Sequence, residues 1–151
     1  MDNNEVLEFA KEIGATDLHD TFSNTKYRAL FKRSNYFLLE DGTWLIVKVS
    51  RNKKNPFFGL GKKFIETFNQ LTEKDEKNYY YVGLLSKNSG WVLSKQQIMN
   101  LLSKGSLSYS ERGKEYKINT RHFKDTDLFT SIAYSGDGDH LFRSVATTVG
   151  V

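Results

Sequence analysis

The feature that most constrains this chain is a pair of apolar runs, residues 36–39 and 44–49, joined by Glu40, Asp41, Gly42 and Thr43. Turn-forming residues between β-branched and aromatic runs predict a β-hairpin, because the flanking side chains fit a pleated, partly buried surface. Lys48 interrupts the second run near its end. A lysine there is either a rim residue keeping its ammonium in water or a functional one. The same region holds the only Pro, Pro56, and a Gly59-Leu60-Gly61 turn.

Patterning extends from this hairpin in both directions. Upstream, Asn3 or Asn4 can cap a first helix whose Val6, Phe9, Ala10 and Ile13 recur at helical spacing, with Gly14 as its stop. Downstream, residues 50–61 read as a polar loop turning hydrophobic at Pro56, with Phe57 and Phe58 either plugging a core edge or forming a contact surface. A helix over about 62–71 follows, with Phe64, Phe68 and Leu71 on one side. Residues 79–85 are almost continuously apolar, as in a central strand buried on both faces. They turn at residues 87–90 into a second hairpin strand. Ser94 with Gln97 forms a capping box opening another helix, and residues 116–119 read as a short strand.

These elements predict one α+β domain over residues 1–130, a mixed sheet built from two hairpins with flanking helices, and a tail or final element over 131–151. The 151-residue length and 38% hydrophobic content suit a folded domain of this size. Cys is absent, so disulfides and thiol chemistry are excluded. Only His19, His122 and His140 offer imidazole, far apart in sequence, which argues against a zinc site. No signal-peptide pattern or membrane-length apolar run occurs. A cytoplasmic protein is the expectation.

Charge is unevenly placed. Ten of the 22 basic residues but only two of the 18 acids fall between Lys26 and Lys63. Arg33, Arg51, Lys53, Lys54, Lys62 and Lys63 are the candidate phosphate contacts, from a basic loop and the start of the following helix. The same surplus fits an acidic protein partner. Gly59-Leu60-Gly61-Lys62 covers half of a phosphate-binding loop, but the full Gly-x4-Gly-Lys-Ser/Thr pattern is missing, which removes nucleotide hydrolysis.

The order of helix, hairpin, helix and hairpin over residues 4–102 resembles the nuclease core of the PD-(D/E)xK superfamily of restriction enzymes and Holliday-junction resolvases. By position, the resemblance implies Asp41 as first acid, Lys48 as motif lysine, and Glu8 or Glu5 as helix acid, with Mg²⁺ as cofactor if the chain cleaves. The family carries Glu or Asp two residues before the lysine. Here that residue is Ile46, which cannot ligate a hard cation. The resemblance therefore implies a module that binds nucleic acid, double-stranded DNA first, without robust cleavage. An active nuclease with a rearranged acid set is one alternative, and an interaction or inhibitory module for an acidic protein is another. No metal ligand set is assigned.

Near the C-terminus, Asp137-Gly138-Asp139-His140-Leu141-Phe142-Arg143 resembles the opening of the OTU cysteine-protease motif, with His140 where that family has its nucleophile. A chain without Cys cannot perform that covalent chemistry.

Overall fold

The computed structural model describes residues 3–23, 28, 31, 35–50, 52–74 and 77–129. His140 and its motif, together with Arg33 and Arg51, lie outside the described residues. Helix α1 (Asn3–Glu12) buries Val6, Phe9 and Ala10, and Ile13 just beyond its end is buried with them. Gly14 ends it at φ 72°, a conformation that costs glycine least. The chain then passes through β1 (Thr16–Asp17) and a 3₁₀ turn (Leu18–Thr21) to the expected hairpin of β2 (Tyr36–Leu38) and β3 (Trp44–Val49).

One element departs from expectation. The end of the supposed 50–61 loop is a strand, β4 (Phe57–Gly61), leading directly into α2 (Lys62–Lys74). Its glycines conceal the strand in sequence, yet Phe58 and Leu60 are buried at period two. The second hairpin, β5 (Tyr79–Ser86) with β6 (Ser89–Ser94), leads to α3 (Lys95–Ser103). Ser94 caps α3 as expected: its hydroxyl accepts from Gln97 N–H at 3.2 Å, and the Gln97 side chain accepts from Ser94 N–H at 2.8 Å. The remaining strands are β7 (Ser108–Ser110), β8 (Glu115–Asn119) and β9 (Leu128–Phe129).

Among the described residues the strands form two sheets. The larger has the order β1-β2-β3-β5-β6-β9, with β3 and β5 parallel and every other pair antiparallel. The smaller, antiparallel, has the order β4-β8-β7. The protein is thus an α+β domain with a mixed sheet, its two hairpins joined through a parallel central pair.

Alternation along β3 divides the core. Leu45 and Val47 point toward α1, packing with Val6, Phe9 and Ile13 and with Val82 and Leu84 of β5. Trp44 and Ile46 point the other way, toward Ile65 and Phe68 of α2, Ile98 of α3, and Phe58, Leu60 and Ile118 of the small sheet. Aromatic rings pack together here, with Phe68 5.1 Å from both Trp44 and Tyr79 in edge-on geometry. Gly83 of β5 accommodates the small sheet. A Cβ there would lie 2.7 Å from the Phe58 ring, so the missing side chain is what lets Phe58 reach the large sheet.

Candidate nucleic-acid interface

The loop between β3 and β4 is built around a buried hydroxyl. Ser50 is 1% exposed, and its Oγ donates to Asn52 O at 2.8 Å while accepting from Phe57 N–H at 3.2 Å. The Asn52 side chain then accepts from the backbone amides of Lys54 and Asn55, at 3.1 and 3.0 Å. These bonds replace the ladder partners that a loop lacks. The expected basic loop is held by its own side chains.

The lysines of this segment separate. Lys53 turns toward α1, where its ammonium lies 3.5 Å from Glu5 and donates to Leu85 O at 2.5 Å. Lys54 is exposed on the loop, and Lys62 and Lys63 are exposed at the start of α2, whose first turn has no acid. Lys62 N–H donates to Lys114 O at 3.1 Å, which brings the exposed Lys114 from the β7–β8 turn beside α2. The Lys62 ammonium stands 5.7 Å from the Tyr109 ring centroid. On the neighbouring strand, the Lys117 ammonium is 5.5 Å from the ring of Phe57. Lys114 and Lys117 were absent from the sequence-predicted set. Only the pairing of β4 with β8 brings them to the segment.

The three residues placed by family resemblance do not meet in one site. Asp41 accepts from Thr43 N–H at 2.9 Å inside the β2–β3 turn, at the opposite end of β3 from Lys48. Glu8 lies on α1, 3.7 Å from Lys87, while Lys48 follows Trp44 and Ile46 onto the other face of the sheet. There its ammonium lies 5.9 Å from the Tyr36 ring centroid. Ile46, at the family's acid position, is 3% exposed within the aromatic core.

Tyr36, beside Lys48, is close enough to Tyr81 to act on it electrostatically, and so is Glu115. The Tyr81 hydroxyl donates to Gly59 O at 2.6 Å, and the Glu115 carboxylate lies over Gly59, 2.5 Å from where a Cβ would stand. Burial holds the Tyr81 phenol well above its ordinary range, and Tyr36 and Glu115 push it further up. A neutral Tyr81 is therefore a permanent donor to β4. Sequence reading missed Glu115 and Tyr81, because a tyrosine within an apolar run reads as core.

Among the described residues, no group of three or more His, Asp or Glu side chains is placed to hold a metal ion. No helix among them is long and apolar enough to cross a membrane. Comparison with protein-family models, curated proteins and solved structures finds no match.

Proposed function

We propose that the protein is a nucleic-acid-binding module of restriction- or resolvase-like type that binds without cleaving. It grips the phosphate backbone, with double-stranded DNA the first ligand to test, through Lys54, Lys62, Lys63 and Lys114. The observation carrying this reading is that α2 opens on two exposed lysines with no acid in its first turn. A helix N-terminus is the positive end of its dipole, so each cation there costs about 0.3–1 kcal/mol of stability. The helix dipole gives no reason for that placement, whereas an anionic ligand reverses the sign of the interaction. Burial of Ile46 beside Lys48 supports binding over cleavage, since no oxygen ligand stands at that position.

Titrating labelled duplex DNA at graded salt tests the reading. Four phosphate contacts predict that log Kobs falls against log salt with a slope of about −3 to −4. Binding indifferent to salt, or none at low salt, would overturn it and favour an acidic protein partner.

A further inference from the structure

We propose that the cleft beside Phe57 receives one unpaired nucleobase, so that the nucleic acid bound here carries a single-stranded or extruded nucleotide. The inference rests on the backbone-contact reading above and adds the ligand's chemical form. The cleft encloses about 390 Å³ at the open end of the small sheet, where Asn55, Phe57, Ser108, Lys117 and Thr120 line it. That volume lies within the roughly 300–1,000 Å³ usual for small-ligand sites.

Phe57 is the informative residue. It is 43% exposed, whereas its neighbour Phe58 is 1% exposed. At that exposure the ring forgoes part of the roughly 1.5–3 kcal/mol that full burial supplies, and a ligand covering it would recover that part. The Ser50 and Asn52 hydrogen bonds hold the loop leading to Phe57, and the adjacent Pro56 is buried. Binding there need not order the loop, which lowers its entropic cost.

The surrounding chemistry matches a nucleotide. The Lys117 ammonium stands over one face of the Phe57 ring, 5.5 Å from its centroid, where it can meet the attached phosphate, and a phenyl face is a stacking platform for any base. Asn55, Ser108 and Thr120 supply donors and acceptors together, suiting base edges without selecting one. A paired base within a duplex has both faces covered by its neighbours, so only an unpaired or flipped base can use the ring.

Fluorescence anisotropy comparing a blunt duplex, the same duplex with a short overhang, and the same overhang made abasic tests the proposal. The base-bearing overhang should bind about tenfold more tightly than the abasic one. Phe57→Ala should abolish that gain while leaving blunt-duplex affinity unchanged, and Phe57→Tyr should retain it. A 2-aminopurine in the overhang should be quenched by the native protein and by F57Y, and not by F57A. Equal affinity for base-bearing and abasic overhangs, or a gain that survives F57A, would overturn the proposal. Salt-dependent duplex binding without the gain sinks the base cleft alone. Absence of binding to every probe sinks it together with the backbone reading.

Discussion

The Tyr81 hydroxyl donates to the Gly59 carbonyl across 2.6 Å, linking the middle of the large sheet to a strand of the small one. This bond, with Phe58 seated on Gly83, sets where the small sheet stands. Tyr81→Phe keeps the ring and removes the donor. We expect a loss of about 1–3 kcal/mol in urea unfolding, with the m-value unchanged, because a carbonyl loses its partner. An unchanged midpoint would show that water replaces the phenol.

Alkaline pH should weaken the fold through Tyr79 and Tyr81, whose phenols lie above their ordinary range. Tyr79, whose hydroxyl donates to Asn69 Oδ1 at 2.7 Å, is raised by burial, as is Tyr81. The unfolded chain ionises each near pH 10, while the folded chain holds them neutral. The unfolded state therefore releases protons first, and the stabilisation present below about pH 10 declines as pH rises toward the folded values. Urea midpoints should fall above pH 10, and phenolate absorbance should show a late step coincident with unfolding. Full tyrosine titration while the protein remains folded would contradict this.

Gly83→Ala should destabilise by about 1–3 kcal/mol through overpacking, since the new methyl meets Phe58 ring carbons at 2.7–2.9 Å. Combining it with Phe58→Leu should recover part of the loss, so the two changes should be non-additive in a double-mutant cycle. Additive effects would mean that the contact has relaxed.

Lys63→Glu should move stability and binding in opposite directions. Placing an acid in the first turn of α2 should raise stability by about 0.3–1 kcal/mol. The same change should weaken duplex binding and make its salt slope shallower by about 1. A variant that gains stability and binds duplex as before would take α2 out of the interface.

Duplex DNA incubated with the protein and Mg²⁺ or Mn²⁺ should remain intact, because Asp41, Lys48 and Glu8 stand apart and Ile46 is buried. Cleavage by the native protein that disappears in Lys48→Ala would restore the nuclease alternative.

The fold was legible wherever period and turn chemistry agreed. Trp44–Val49 and Tyr79–Ser86 are long apolar runs bounded by polar turns, and Ser94 with Gln97 announces α3. The strand at Phe57–Gly61 was hidden because its two glycines read as a turn, and because its partner β8 lies far along the chain. The candidate site was legible in part. Clustering in sequence pointed to Lys54, Lys62 and Lys63, but it could not show that Lys53 turns to Glu5. It also could not bring in Lys114 and Lys117, whose proximity comes from strand pairing rather than spacing. Lys48 and Glu8 were joined by analogy, and strand alternation placed them on opposite faces.

The pairing of β4 with β8 has a consequence in time. Both hairpins of the large sheet close over short turns and can form as soon as their residues leave the ribosome. β4 emerges between them and finds its partner only when residues up to Asn119 have been made. Joining ends so distant carries a larger closure entropy, so the small sheet should assemble after both hairpins. A growing chain thus carries Lys54, Lys62 and Lys63 before Lys114 and Lys117 exist, and can array the five together only once β8 has paired with β4.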